Sequence, residues 1–237
     1  MTTNKMTTDD KRETRHGAFF GRRKGHKLRP GQTRLMTEVL PALALDLAKP
    51  AADLRALFPV PVDLVRLEIG FGGGEHLLHE ARQNPAIGFI GCEPYQNGMA
   101  RALAVIEAEG LKNIRLHYGD ALGLIEWLPE ASLARIDILY PDPWPKRRHW
   151  KRRFISEQRV ARLAKILAPG GEIRFATDVA SYAEWALLRL LRTPGLSWTA
   201  ERADDWRLPW AGFPSTRYEA KALTVGRKPT YLRFQRL

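Results

Sequence analysis

The sequence predicts an α/β fold in which a mostly parallel sheet carries helices on both faces. From residue 63 onward, short apolar runs alternate with helical stretches. Parallel strands are joined by crossovers that are usually helical, so this alternation indicates a parallel sheet covered by helices. The chain has 237 residues, of which 44% are hydrophobic, enough for one large domain with an ordinary core.

Each element is bounded by residues with a defined local preference. The apolar runs predict strands at 64–69, 87–92, 114–118, 136–140 and 172–176, with late strands at 196–200 and 231–235. Helices are expected at 75–83, 99–109, 157–167 and 182–191. Ser156 is a candidate N-cap for the third helix, and Gly110 is expected to end the second. The Ala-Pro-Gly-Gly stretch at 168–171 is expected to end the third.

The first 34 residues differ from the rest of the chain. They are polar and basic, with little apolar periodicity before Leu35. We therefore expect a basic, mobile N-terminal arm over 1–34 and a single domain over 35–237 whose first helix begins at Leu35. The sequence contains no internal repeat, low-complexity tract or linker to a second domain.

Positive charge is concentrated in two segments. Of the formal net charge of +12, residues 1–34 carry +7 and the run 146–153 (Lys-Arg-Arg-His-Trp-Lys-Arg-Arg) carries +6, which leaves −1 for the other 195 residues. Dense positive charge is electrostatically costly unless an anion relieves it, so the pattern favours a polyanion such as RNA as partner. Solubility alone is the alternative explanation.

Cysteine content and the N-terminus limit the class of protein. Cys92 is the single cysteine, so no intramolecular disulfide is possible, and no Cys/His spacing matches a structural zinc site. The N-terminus lacks an apolar signal-peptide core, and no run of 18 apolar residues occurs. We expect a cytoplasmic protein that is neither secreted nor membrane-spanning.

A glycine-rich turn follows the first predicted strand. It reads Glu-Ile-Gly-Phe-Gly-Gly-Gly-Glu over residues 68–75, directly before a predicted helix. Glycine lets the backbone approach a ligand closely, so the turn predicts a nucleotide-type site; a tight turn without a ligand is the alternative. The dinucleotide motif needs its third glycine at position 75, where Glu75 would disfavour a pyrophosphate. A zwitterionic methionine sulfonium tolerates acidic neighbours.

Two further carboxylates follow the next two predicted strands. Glu93 could accept both ribose hydroxyls of a nucleoside, and Asp120 could accept from an adenine amino group. Both lie where strands end, at the edge where open α/β sheets bind ligands. Either residue alone could be a helix cap or a surface acid. With Glu68 and the glycine turn, they indicate a nucleoside site.

Asp142 lies in a proline-rich segment after the fourth predicted strand. Prolines at 141, 143 and 145 restrict the backbone around Asp142 and Trp144. A carboxylate and an indole held in this way favour substrate contact over a purely structural turn. The basic run follows immediately, with aromatic residues between its cations, a pattern that suits an RNA backbone.

These segments together resemble a known family. LEIGFGGG, CEPY, GDA, YPDPWPKRRHWKRR, ATD and STRYEAKA, spread over residues 67–222, are similar to motifs of the bacterial tRNA (guanine-N7)-methyltransferase family, the TrmB family. The E-x-G-x-G-x-G motif is shared by S-adenosylmethionine (SAM) methyltransferases in general. PDPWPK together with T-x-F/Y-E-x-K, here Thr216 to Lys221, is specific to the TrmB family.

The resemblance implies a Rossmann-like class I SAM-dependent methyltransferase fold. It implies transfer of a methyl group from SAM to N7 of the guanine at position 46 in the variable loop of tRNA, with Asp142 as the catalytic residue. Cofactor contacts are expected from Glu68, Gly70, Gly72, Gly74, Glu93, Asp120 and Asp142. Substrate contacts are expected from Lys146, Asp178, Thr216, Arg217, Tyr218 and Glu219, and RNA contacts from Arg147, Arg148, Lys151, Arg152 and Arg153. No metal and no obligatory protein partner are expected.

The chemistry of guanine N7 defines what such a site must do. The N7 lone pair is free in the neutral base, so alignment and stabilisation of the developing cation matter more than a strong general base. We expect Asp142 to orient the guanine and Trp144 to help form the pocket wall. His76 and His79 lack a visible third metal ligand and are interpreted as ordinary helix residues.

Several other functions are compatible with parts of this pattern. They are a SAM-dependent methyltransferase acting on another RNA, one acting on a small molecule or protein, a NAD-dependent dehydrogenase, and a non-catalytic tRNA-binding protein. The glycine spacing argues against the dehydrogenase, and the two cationic segments argue against a small-molecule or protein substrate.

Overall fold

A seven-stranded sheet organises the molecule. The computed structural model describes Gly21 and residues 23–237; most of the predicted mobile arm lies outside the described residues. The strands are β1 (Leu64–Ile69), β2 (Ile87–Cys92), β3 (Ile114–His117), β4 (Leu133–Leu139), β5 (Leu167–Thr177), β6 (Leu196–Trp198) and β7 (Thr230–Arg236). Their spatial order is β3-β2-β1-β4-β5-β7-β6, and only the β5–β7 and β6–β7 pairs are antiparallel. The predicted α/β class with a mostly parallel sheet is confirmed.

Helices cover both faces of this sheet. They are α1 (Pro30–Arg34), α2 (Leu40–Leu43), α3 (Glu75–Gln83), α4 (Gln96–Glu109), α5 (Ala121–Trp127), α6 (Glu157–Ile166), α7 (Ala180–Leu191), α8 (Asp204–Arg207) and α9 (Arg217–Thr224), with a π-helical turn at Leu35–Val39 and 3₁₀ turns at Leu54–Leu57 and Arg147–Arg152. Helices α3 and α4 pack over one side of the sheet, and α5, α6 and α7 form the core on the other. In the part of the chain with described coordinates, no helix combines the length and apolarity needed to cross a bilayer.

The helix and strand limits mostly follow local signals, and three of the differences from the prediction have a clear physical reason. Ser156 caps α6 by accepting from the Arg159 amide, and Gly110 ends α4 at a φ of 64°, as expected. The first helix begins at Pro30 rather than Leu35, because proline at the first helical position loses no hydrogen bond. The 168–171 stretch does not end α6; the helix stops at Ile166, and this stretch belongs to the start of β5.

The third difference is the end of β4. The strand stops at Leu139, and Tyr140 adopts a φ of 49°, which is unusual for a residue other than glycine. The chain therefore turns one residue earlier than predicted. This turn leads directly into Pro141 and Asp142 at the carboxyl edge of the sheet.

One side of β1 and β4 carries charged side chains where a core would normally be apolar. Arg135 pairs with Asp137 (Nε to Oδ2, 2.7 Å) and with Glu80 of α3, which also pairs with Arg66 (2.9 Å). Each carboxylate in this group, Glu80 and Asp137, forms an ion pair with at least one guanidinium group, which offsets the cost of burying its charge. The group connects α3, and so the end of the glycine turn, to two central strands.

Candidate active site

A cavity of about 350 Å³ opens at the carboxyl ends of the parallel strands. Its lining comes from the turns after β1, β2 and β4, the start of α5, and parts of α6 and α9. This is the position at which open α/β sheets bind ligands. The lining residues include Gly70, Gly72, Glu93, Tyr95, Asp120, Leu122, Tyr140, Asp142, Trp144, Arg152, Arg159 and Tyr218.

The glycine turn and Glu93 form one hydrogen-bonded unit. Gly70 and Gly72 have φ angles of 75° and 59°, which glycine adopts without steric cost. The Gly72 amide donates to Oε2 of Glu93 (2.6 Å), and the Tyr95 amide donates to Oε1 (2.8 Å). Each carboxylate oxygen retains a lone pair for a further donor. Glu93 is thus held rigidly with its remaining acceptor capacity available to a ligand in the cavity.

Burial changes the acidity of the cavity carboxylates. The pKa of Glu93 is raised to about 7, mainly by burial and to a lesser extent by the Asp142 carboxylate, against the opposing effects of the two backbone donors and of Arg217. Partial desolvation by the cavity walls also raises the pKa of Asp142 above its ordinary value. Two carboxyl groups with raised pKa values facing one cavity create a site that favours a cationic ligand.

Asp120 has two roles that the sequence left open as alternatives. Its Oδ1 accepts from the Leu122 amide (3.0 Å) and so caps α5. Its side chain also lines the cavity beside Leu122. The cap fixes the rotamer of the carboxylate and leaves its second oxygen available to a ligand.

Asp142 lies at the cavity mouth on a constrained turn. Tyr140 and Trp144, two residues to either side of it, have φ angles of 49° and 44°. Side chains other than glycine rarely occupy this region, and surrounding contacts must hold them there. The structure thus brings Asp142, Glu93 and Asp120 to one cavity, as the sequence predicts.

Glu68 and Gly74 lie outside the cavity lining. Glu68 is 5% exposed, and its Oε2 lies 2.7 Å from Nδ1 of His76 on α3. Burial lowers the pKa of His76, but the neighbouring Glu68 carboxylate outweighs burial, and the pKa is raised overall. His76 thus lies in α3 as a buried partner of Glu68 and does not line the cavity. Among the described residues, no set of three His, Cys, Asp or Glu side chains could hold a metal ion.

Gly74 and His76 instead shape the turn from outside the cavity. Gly74 precedes α3 with a φ of 86°, and its amide donates to the Phe71 carbonyl (2.9 Å). The His76 ring packs against Phe213, whose ring belongs to an aromatic group with Trp210 and Tyr231. His76 therefore connects the glycine turn to the segment before α9.

The residues predicted to contact substrate are placed in different ways. Tyr218 is 47% exposed and lines the cavity, and Arg217 donates to its hydroxyl (3.1 Å). Thr216 is buried and caps α9 by accepting from the Glu219 amide (3.2 Å). The side chain of Glu219 is also buried. The local sequence Thr-x-x-Glu is a typical helix start, so it could have predicted α9.

Asp178 and Lys146 lie outside the cavity lining. Asp178 follows β5, and its Oδ2 accepts from Nη1 of Arg227 (2.7 Å). Lys146 is exposed and immediately precedes the 3₁₀ turn Arg147–Arg152. Substrate contacts by these two residues stay predictions.

Most of the basic run forms an exposed surface next to Asp142. Arg147, Arg148 and Lys151 are exposed on the 3₁₀ turn, and Arg152 reaches the cavity while its guanidinium lies 5.0 Å from the centre of the Trp144 ring. Arg153 is different because its side chain is buried, with 1% exposure. The predicted RNA contact by Arg153 is therefore corrected: a buried guanidinium cannot reach a phosphate.

Arg159 is a cavity residue that sequence reasoning missed. It lies on α6 and donates through Nη1 to the carbonyls of Arg153 and Phe154 (both 3.0 Å). Its position depends on the packing of α6 beneath the basic run, and no local sequence signal marks it.

Comparison with known proteins identifies the family. A protein-family model described as "Putative methyltransferase" matches residues 63–232. The tRNA (guanine-N(7)-)-methyltransferase of Rhodopseudomonas palustris (strain BisA53) is 59% identical over 230 residues, which cover 97% of this chain and 92% of the relative. That of Rhizobium meliloti (strain 1021) is 57% identical over 92% of this chain and 95% of the relative. The chain belongs to the tRNA (guanine-N7)-methyltransferase family.

Solved structures agree on the fold of this family member. The 16S rRNA methyltransferase KamB aligns with a TM-score of 0.53 at 19% identity, covering 77% of this chain and 90% of KamB. The cyclase SpnF aligns with a TM-score of 0.51 at 15% identity, covering 87% and 94%. At these identities the likeness concerns the fold alone. The predicted Rossmann-like class I methyltransferase fold and TrmB family are both confirmed.

Proposed function

We propose that this protein transfers a methyl group from SAM to N7 of the guanine at position 46 in the variable loop of tRNA. The observation that carries the proposal is the cavity in which Glu93, Asp120 and Asp142 converge beside an exposed cationic turn. Family membership at 59% identity over nearly the whole chain supports the same activity. A tRNA substrate also implies a cytoplasmic location.

The cavity residues fit SAM by their chemistry. Bound SAM supplies the reaction with an electrophilic methyl group on a positively charged sulfur. Glu93 would accept hydrogen bonds from the ribose hydroxyls, using the lone pairs that its two backbone contacts leave unused. Asp120 would accept from the adenine amino group through its uncapped oxygen. Gly70 and Gly72 line the cavity without side chains, so the methionine portion of SAM could approach their backbone closely.

The chain's own contribution to catalysis is orientation and electrostatics. Asp142 would accept hydrogen bonds from the N–H groups of the guanine Watson–Crick edge, which directs N7 toward the methyl donor. As N7 attacks, the base becomes cationic, and the Asp142 carboxylate offsets that charge. No proton leaves the base before attack, so Asp142 need not act as a general base. Orientation of this kind contributes up to about 7–11 kcal/mol in favourable cases.

The exposed part of the basic run would hold the tRNA backbone. Arg147, Arg148 and Lys151 present exposed cations a few residues after Asp142, and the half-buried Arg152 lies between this surface and the cavity. Phosphate contacts position a nucleic acid without reading its bases. Base selection would then fall to the cavity itself.

The test is to map the methylated base. The purified protein is incubated with tRNA and tritiated SAM, and the tRNA is treated with sodium borohydride and then with aniline, which together cleave the chain at 7-methylguanosine. Label incorporation with scission at the variable-loop guanine is expected, and both are lost when that guanine is replaced by adenine. Label without scission at this base would indicate another RNA position, and tRNA binding without label would indicate a non-catalytic binding protein.

A further inference from the structure

The turn of residues 140–144, which carries Asp142, is held at both of its ends by buried side chains. We propose that Arg153 and Glu219 are positioning residues that clamp this turn and so fix the place of Asp142 in the cavity. This inference rests on the proposed function for its catalytic consequence. Its structural part concerns the rigidity of the turn and stands on contacts alone.

Arg153 is the first anchor. Its Nε donates to the carbonyl of Pro143 (3.0 Å), the residue directly after Asp142. Its Nη1 and Nη2 donate to the carbonyl and hydroxyl of Ser181 on α7 (2.8 and 3.1 Å). One planar guanidinium therefore ties the turn to a core helix, a geometry that the single ammonium of lysine cannot reproduce.

An aromatic box keeps this guanidinium in place. The Cζ atom of Arg153 lies 4.5, 4.8 and 5.3 Å from the ring centres of Trp150, Tyr182 and Trp185. Cation–π contact compensates part of the cost of burying the charge. The box excludes water from the contact with Pro143, which strengthens it.

Glu219 is the second anchor and lies at the other end of the turn. Its Oε1 accepts from the hydroxyl of Tyr140 (3.3 Å) and from the hydroxyl of Tyr231. Burial raises the pKa of both tyrosines, so each remains a donor across the working pH range. Glu219 is 3% exposed and is held by the cap that Thr216 provides to α9.

The two anchors act from different sides of the sheet. Tyr182 belongs to the core with α6 and α7, whereas Tyr231 belongs to the aromatic group on the side of α3. At the two ends of the turn, Tyr140 and Trp144 occupy the positive-φ region, which persists only where surrounding contacts enforce it. The prolines stiffen the segment, so release of either end would move Asp142 rather than be absorbed locally.

The experiment compares three single variants with the wild type. Tyr140→Phe removes one hydroxyl of the clamp, and Arg153→Ala removes the guanidinium. Arg189→Ala is the matched control, because Arg189 lies over the same Trp185 ring (3.2 Å) and donates to the Trp185 carbonyl without touching the turn. We expect kcat to fall at least tenfold in the first two variants and to stay unchanged in the control. The Kd for S-adenosylhomocysteine and the KM for tRNA should stay within threefold.

Two further readouts separate positioning from general damage. Added guanidinium ion should restore turnover to Arg153→Ala by refilling the box, and should not help Tyr140→Phe. Hydrogen exchange of peptides covering residues 140–146 should become faster in both clamp variants and not in Arg189→Ala. This second measurement does not depend on methyl transfer, so it tests the clamp even if wild-type protein fails to methylate tRNA and the proposed function is wrong.

The proposal has clear contrary results. A raised KM for tRNA at unchanged kcat in Arg153→Ala would assign this residue to RNA contact. Unchanged kcat and unchanged exchange in Tyr140→Phe would remove Glu219 from the clamp. Should Arg153→Ala fail to fold, Tyr140→Phe and the conservative Ser181→Ala, which deletes one acceptor of Arg153, decide the matter by the same measurements.

Discussion

Under the proposed function, the buried side chain of Glu93 couples cofactor binding to pH. Its carboxyl group is fixed by two backbone donors, yet burial raises its pKa to about 7. Protonation removes acceptor capacity that a ribose needs. A bound sulfonium favours the ionised form, so loading of SAM near neutral pH should be accompanied by proton release.

The affinity for S-adenosylhomocysteine should therefore increase as pH rises through about 7. Because the pKa is raised, the binding-competent carboxylate is the minor form below this value, and at pH 6 about one tenth of Glu93 is ionised, which lowers affinity roughly tenfold. Calorimetric titrations between pH 5.5 and 8 measure this. Glu93→Gln is expected to bind weakly at every pH, and a pH dependence that survives in it would place the titrating group elsewhere.

Asp142 should matter for turnover far more than for cofactor retention. In the proposed mechanism, Asp142→Ala removes the group that orients the base and offsets its charge, and losses of this kind are about 10²–10³-fold in kcat. The Kd for S-adenosylhomocysteine should change by less than about threefold, since Glu93 and Asp120 remain. Single-turnover methylation and calorimetry measure the two quantities. Normal turnover would remove Asp142 from the mechanism.

Sequence reasoning correctly placed the residues that follow strand ends at the cavity. Glu93, Asp120 and Asp142 lie at the cavity because parallel strands end at a common edge. It failed for Arg153, which is one of six cations in eight residues; only the path of the 3₁₀ turn decides which one points inward. The pair Glu68 and His76 was missed because it depends on the course of the glycine turn between them.

At the scale of elements, the glycine turn and α4 approach each other closely through Gly98. A Cβ atom at this position would lie 2.1 Å from the Gly72 carbonyl oxygen, part of the backbone that holds Glu93. Gly123 in α5 is a matched helical glycine where the nearest atom would be 3.9 Å away. A side chain at position 98 would thus collide with the glycine turn, whereas position 123 has room for one.

Gly98→Ala should push α4 away from the turn and disturb cofactor binding. We expect a loss of about 1–3 kcal/mol in unfolding free energy, as in overpacked cores, and at least a tenfold weaker Kd for S-adenosylhomocysteine. Gly123→Ala should instead gain about 0.5–1 kcal/mol at unchanged Kd, because alanine favours the helix. Denaturant unfolding and calorimetry check both variants, and equal effects would contradict the proposed close approach.

Element limits were predictable where a capping residue or an apolar run defines them. β1, β2 and α3 have the predicted limits, and α6 starts at the predicted residue after Ser156. β5 begins five residues early, because its bulged start pairs Leu167 with Leu133 across the sheet. That pairing is a tertiary contact between residues 34 positions apart and has no local signature.

At the scale of the whole molecule, the basic run at 146–153 provides a group of exposed cations beside the cavity. Arg147 and Arg148 are exposed, whereas the side chain of Arg153 in the same run is buried. Charge counted along the sequence therefore overstates the charge available to a polyanion. Only the exposed residues can neutralise phosphates and release counterions.

Replacing Arg147 and Arg148 together by alanine should weaken tRNA binding without affecting the cofactor site. If each cation neutralises one phosphate, the slope of log K against log salt should become shallower by about 1.4 for single-stranded contacts. Filter binding over a salt series measures the slope, and calorimetry with S-adenosylhomocysteine is the control. A parallel loss of cofactor affinity would indicate misfolding, and an unchanged slope would place the RNA elsewhere.

The order of strands has a consequence for how such a molecule can be altered. β4, which leads into Asp142, lies between β1, β2 and β3 on one side and β5, β7 and β6 on the other. Glu93 and Asp120 follow strands of the first half, whereas Asp178 and Glu219 flank strands of the second. An engineer could therefore vary loops of the second half while leaving the first half, which carries Glu93 and Asp120, intact, provided that β4 stays compatible with both.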